Sequence, residues 1–201
     1  MDAPDDMPRW PEWALALLPL VGLGQGGIAA WAARALATVP WTGALLGLLV
    51  LEAVAGFRPS RGVFRAGASP VPGVLLAIGV LAVRWWGLAV LEEPGRAWAL
   101  MLGPLLGRWA LVVQCYGRTG AGSVGFTAFA WASVLALGAT QAIGGGVGVL
   151  LVLVVGLVTV AARVAVHRHL GGFTRALLWA TDALVETAVV GTLGVLTQLK
   201  T

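Results

Sequence analysis

Five ionisable residues stand where a lipid-facing chain would be expected to carry none: Glu52, Arg84, Arg108, Asp182 and Glu186. Asp182 and Glu186 lie one helical turn apart in HRHLGGFTRALLWATDALVE, residues 167–186, so a helix presents both on one side. Two carboxylates on one face can hold Mg²⁺, which prefers oxygen ligands and phosphate oxygens, while arginines beside them can neutralise a phosphate. A soft-metal site is not indicated. His167 and His169 are two apart with no cysteine nearby and read as surface histidines, and the single Cys115 offers neither an internal disulfide nor a metal cluster.

The elements that must position these groups follow from composition. Of 201 residues, 59% are hydrophobic and 11% charged. No water-soluble interior of this size hides so much apolar side chain, so the bilayer is the natural solvent. The fold class is all-α, a polytopic membrane helix bundle. Seven apolar spans are expected, within a range of six to eight: Trp13–Arg34, Trp41–Phe57, Val74–Leu91, Ala97–Tyr116, Phe126–Ile143, Val147–Val166 and Ala176–Leu196. The second is short, and the fifth and sixth are compatible with one hairpin. Residues 1–12 read as a polar leader and 13–201 as a single transmembrane domain, with Trp10 and Trp13 at the membrane surface. Glycine, 29 of 201 residues, lets helices approach closely in lipid. Pro19 and Pro104 fall inside spans and are expected to kink them.

The charge of +4 is read as loop arginine that orients a membrane protein, with no nucleic-acid partner. Seven spans place eight arginines on one side (Arg9, Arg58, Arg61, Arg65, Arg118, Arg163, Arg168 and Arg175) and Arg34, Arg96 and Lys200 on the other. The positive-inside rule puts the first set, and the N-terminus, in the cytoplasm of a bacterial or archaeal inner membrane. Two loops on that side, residues 56–73 and 163–175, are basic. GAGSVG, residues 120–125, fits G-x-G-x-x-G, but it follows a membrane span where a dinucleotide fold requires a strand. It reads as a flexible turn whose backbone N–H groups, near Arg118, could hold a phosphate.

At ~1.5 Å per residue, Glu52 lies about 8 Å inside its span, Asp182 about 10 Å, Arg108 about 12 Å, and Glu186 and Arg84 about 16 Å. Each charge in hydrocarbon costs on the order of 3 kcal/mol. The five are therefore expected to face one another in a cavity open to the cytoplasm, with Arg84 and Arg108 against the carboxylates. Ion pairs that only join helices satisfy the same constraint.

The order of landmarks resembles the adenosylcobinamide-GDP ribazoletransferase family, the integral-membrane cobalamin synthases, from about Leu17 to Val190. LLPLVGLGQGGIAAW is similar to the family's early Phe-Pro-Leu-Val-Gly span. SPVPGVLLAIGVLAVRWW resembles its Ser-Arg-Val-Gly stretch and following helix. LLGRWALVVQCYGRTGAGSVGF resembles its Gly-Arg-Trp span and Tyr-x-Arg loop. HLGGFTRALLWATDALVE resembles its Leu-Gly-Gly-x-Thr-Gly-Asp segment with a downstream Glu. The family's acidic motif, His-x-Asp-Gly-x-x-Asp-x-x-Asp-Gly, is replaced here by LLVLEAVAGFRPSRG. Glu52 stands for the first aspartate, while Gly56 and Pro59 stand where the others would be. The Asp-Ser-Arg step keeps only Ser69, followed by Pro70. Thr174 remains of Thr-Gly-Asp, with Arg175 and Ala176 after it.

The resemblance implies Mg²⁺-dependent phosphoryl transfer that joins α-ribazole, or its phosphate, to adenosylcobinamide-GDP with release of GMP, in the final steps of cobalamin assembly. It implies Glu52, Glu186 and Arg108 as catalytic residues, Arg108, Arg118 and Thr174 on the diphosphate, and Glu52 and Glu186, with Asp182 beside them, on Mg²⁺. Asp182 is not a family position and could instead balance Arg108 or Arg175. Two further expectations stand beside the enzyme. One is a non-catalytic subunit or scaffold that keeps the fold, with a membrane-protein partner or anionic headgroups on its arginine loops. The other is a small transporter whose pathway is the polar layer, although no inverted repeat is visible.

Overall fold

In the computed structural model many large apolar side chains face outward, while five charged side chains lie inside. Leu157, Trp31, Leu75 and Leu153 are 72, 69, 65 and 65% exposed, while Glu52, Arg84, Arg108, Asp182 and Glu186 are all buried. Water would favour the reverse arrangement, and hydrocarbon favours this one. The structure describes residues 11–36, 39–66, 70–117, 123–170 and 174–199. Arg9, Trp10, Arg118, Ser69, the first half of the GAGSVG turn and the side chains of Pro70 and His169 lie outside the described residues.

Within them the chain forms α1 (Glu12–Ala16), α2 (Leu18–Leu36), α3 (Pro40–Val54), α4 (Arg58–Ala66), α5 (Pro70–Val90), α6 (Gly95–Cys115), α7 (Phe126–Leu170) and α8 (Arg175–Gln198). Among the described residues, four helices are long and apolar enough to cross a membrane, or five if α3 and α4 are taken as one bent span. The chain is thus an all-α protein with several helices suited to contact with a lipid bilayer.

Two boundaries differ from the sequence expectation, and a third falls where the sequence placed it. The first span is broken at Leu17, so Pro19 sits in the first turn of α2 rather than mid-helix. There its missing N–H costs nothing and no kink is required. The stretch 56–73, read as a loop, contains α4, turned 83° from α3. The turn is a Schellman cap: Phe57 N–H donates to the Glu52 carbonyl at 2.7 Å and Gly56 N–H to that of Ala53 at 3.0 Å. Gly56 has φ +66° and Phe57 φ +55°. Glycine takes that conformation freely, while an aromatic residue adopts it only where its surroundings hold it. The fifth and sixth expected spans are the two halves of α7, broken at Gly145 (φ +53°, ψ −131°) in the gap where the sequence allowed a hairpin. Its two halves fold back on one another: a Cβ at Gly148 would collide with the Thr140 carbonyl oxygen at 2.6 Å.

α6 is the axis of the bundle. Of its apolar stretch 72% is buried, against 28% in α5 and 22% in α7. Its neighbours close on it through small residues. Gly22 and Gly26 of α2 lie against the backbone of Pro104 and Leu100, leaving no room for a Cβ. Without a hydrophobic drive between helices in lipid, this close packing is a main source of cohesion. Arginine closes two helix ends. Arg96 donates to the carbonyls of Leu88 (3.0 Å) and Leu91 (2.7 Å) at the end of α5, and Arg163 to those of Val113 (2.9 Å) and Tyr116 (3.0 Å) at the end of α6. Both donate to carbonyls near a helix terminus, where intrahelical donors run out, although the Val113 carbonyl also accepts a long bond from Tyr116 N–H.

Candidate functional site: a buried ion-pair layer

Four helices send ionisable side chains to one level of the bundle: α3 supplies Glu52, α5 Arg84, α6 Arg108, and α8 both Asp182 and Glu186. They form two linked clusters. Arg84 Nη1 donates to Glu52 Oε1 at 2.8 Å, and its Nη2 pairs with Glu186. Arg108 Nη1 donates to Asp182, and its Nη2 to Gln25 Oε1 at 3.2 Å, the latter from α2. Arg84 and Arg108 therefore do face the carboxylates, as the cost of burying five charges demanded.

The packing that admits these groups is written in α6 and α8 together. Gly103 and Gly107 are four apart on α6, and Glu186 and Asp182 are four apart on α8. Gly103 faces Glu186 and Gly107 faces Asp182, closely enough that a Cβ at position 107 would overlap Asp182 Oδ1. One pair of absent side chains makes room for one pair of carboxylates. The indole of Trp179 lies under Arg108, with the guanidinium carbon 5.0 Å from the ring centroid, and Arg58 from α4 lies over the same ring at 5.5 Å. Both distances suit cation–π attraction.

Other predicted residues lie elsewhere. Thr174 is exposed and is the N-cap of α8, its hydroxyl accepting from Leu177 N–H at 3.3 Å. It is thus engaged in starting that helix. Arg175 is exposed, so Asp182 balances Arg108 and not Arg175. Arg118 lies outside the described residues.

Two expectations about this layer meet particular geometry. It was expected to open into a water-filled hollow. The cavity lined by Arg84 and Glu186 has a volume of about 10 Å³, which is room for about one water and no substrate. Glu52, Asp182 and Glu186 were expected to share Mg²⁺. Among the described residues no group of three or more carboxylate, histidine or cysteine side chains is placed to hold a metal ion. The physical reason is Arg84, whose guanidinium stands between Glu52 and Glu186, while Asp182 is taken by Arg108. Mg²⁺ demands near-octahedral oxygens at about 2.0–2.1 Å, and side chains arranged around guanidinium groups do not fit it.

Sequence reasoning missed Gln25, Trp179 and the pairing of glycines with carboxylates. Gln25 was visible as a polar residue inside an apolar span. Trp179 had no sequence signal separating it from the other nine tryptophans of the ten. Comparison with protein-family models, curated proteins and solved structures yields no match to this chain.

Proposed function

We propose that the chain is a cobalamin-synthase-like, multi-pass inner-membrane protein of about seven spans whose acidic site has been rebuilt as internal ion pairs. In this reading it serves as a non-catalytic subunit or scaffold of a membrane assembly rather than as a transferase. The observation that carries the reading is the position of Arg84 between Glu52 and Glu186. Those are the two acids that the resemblance assigns to Mg²⁺. A guanidinium can neutralise them, but it cannot organise the attacking and leaving oxygens of a phosphoryl transfer as a metal ion does. The small volume beside the pair supports the same reading, and it counts against a transporter, whose pathway must admit water or ions. The break of α7 at Gly145 supports counting its halves as two spans.

A second reading rests on a separate observation. Glu52 Oε2 and Asp182 Oδ1 are buried without a hydrogen-bond partner among the described residues, and buried carboxylate oxygens are seldom left so. They favour an enzyme that rearranges on binding the corrinoid nucleotide, with Arg108 and Arg118 on its diphosphate. The test incubates purified protein with Mg²⁺, adenosylcobinamide-GDP and α-ribazole. The scaffold reading predicts no GMP and no cobalamin above a protein-free control. Magnesium-dependent GMP release that is lost in Glu186→Gln would replace it with the transferase.

A further inference from the structure

The 83° turn after α3 lays α4 across the end of the bundle, and its three faces have different chemistry. Pro59, Gly62 and Val63 are buried. Gly62 sits directly on Trp179 and Ala180 of α8, where a Cβ would lie 2.8 Å from the Ala180 nitrogen. Arg58, Arg61 and Arg65 are exposed. At i, i+3 and i+7 they form one stripe along the helix. Phe57 and Phe64, seven apart, form the adjoining stripe and are 46 and 40% exposed. Phe57 is presented from a backbone at φ +55°.

We infer that α4 is an interfacial helix that binds the anionic phospholipids of one leaflet, its arginine stripe on the headgroup phosphates and its two phenylalanines in the acyl boundary. Charge complementarity fixes the occupant. Three guanidinium groups lie on one face, and neither Asp nor Glu occurs between Glu52 and Glu92. A soluble acidic protein would not account for phenylalanines beside that stripe, whereas amphipathic helices at a bilayer surface combine both features. The docked face explains the orientation. Gly62 lets α4 lie flat on α8, one turn above Asp182, so the helix is held at the level where headgroups meet hydrocarbon. This inference does not depend on whether the chain is a scaffold or a transferase.

The experiment uses full-length protein in nanodiscs of phosphatidylcholine with a minority of phosphatidylglycerol. Electron paramagnetic resonance of spin-labelled lipids then reads which headgroup the protein retains. A preference for phosphatidylglycerol is expected, up to about fivefold for each arginine that meets a headgroup. It should fade in high salt, fall by at least half in Arg58→Gln/Arg61→Gln/Arg65→Gln, and persist in the matching triple lysine variant. Elution volume and melting temperature of the glutamine variant check that it is folded. Should it not fold, salt dependence and the lysine variant carry the test. A second readout places a spin label at Phe64→Cys in a Cys115→Ser background, and depth by power saturation should put it at or just below the phosphate level. Equal preference in wild type and folded glutamine variant, displacement of lipid by inorganic phosphate, or a label at position 64 fully in water would each overturn the inference.

Discussion

Replacing Arg84 by methionine is the most informative perturbation of the buried layer. The change keeps an unbranched side chain and removes one guanidinium that engages two carboxylates, Glu52 at 2.8 Å and Glu186. Both acids are 2–3% exposed, so water cannot reach them readily and the freed charges stay buried. Removing one partner of a buried ion pair typically costs about 3–5 kcal/mol, most of it the desolvation of what remains. For a chain of this size, each kcal/mol moves the melting temperature by about 2–4 °C. Arg84→Met should therefore lower it by about 6–20 °C, read by fluorescence-detected size exclusion after heating in detergent. The compensated variant Arg84→Met/Glu52→Gln/Glu186→Gln removes the orphaned charges as well and should return to within about 5 °C of wild type, because neutral groups of similar volume often replace buried ion pairs without loss. A single mutant that melts within about 2 °C of wild type would refute the claim that Arg84 holds the layer together. So would a triple variant no more stable than the single.

Gly107→Ala should destabilise by about 1–3 kcal/mol, because its Cβ overlaps Asp182 Oδ1, whereas Gly24→Ala, with open space around it, should leave melting unchanged or slightly raised; the same thermal assay checks both. Gly62→Val should lift α4 from Trp179 and Ala180, seen as faster hydrogen exchange over residues 58–66 with the rest of α8 still protected. Arg163→Met should cost about 1–3 kcal/mol by removing the guanidinium donor from the Tyr116 carbonyl and leaving the Val113 carbonyl only its 3.3 Å bond from Tyr116 N–H. Single cysteines at Arg61 and Glu93, in a Cys115→Ser background, should react with impermeant reagent from opposite sides of the membrane, Glu93 from outside the cell. Labelling of both from one side would contradict the proposed topology.

Much of this layer was legible because burying charge in lipid is costly enough to constrain geometry by itself. Glu52, Arg84, Arg108, Asp182 and Glu186 had to meet, and they do. Which acid takes which arginine was not legible. It depends on the rotation of each helix, set here by contacts such as Gly103 against Glu186 and Gly107 against Asp182 that no periodicity announces. Helix α4 was misread as loop because Pro59 and two glycines, Gly56 and Gly62, punctuate it. Pro59 falls in its first turn, where proline is tolerated, and Gly62 is required by contact with α8 rather than by a turn. The broken span at Leu17 shows the same limit, whereas the break at Gly145 fell in a glycine-rich gap that the sequence did mark: apolar length marks where the chain can sit in a membrane, while local backbone decides where it bends. Volume was the least legible property of all. Charged residues at one depth are equally consistent with a wet pocket and a packed ion pair, and only side-chain placement separates them.

The central claim is that the Arg84 guanidinium occupies the place a metal ion would take between Glu52 and Glu186. Titration of the purified protein with Mn²⁺, followed by electron paramagnetic resonance and competed with Mg²⁺, addresses it directly. The account predicts no stoichiometric site, and a free-ion signal indistinguishable between wild type and Glu186→Gln. One Mn²⁺ bound per chain, displaced by Mg²⁺ and lost in Glu186→Gln, would contradict it.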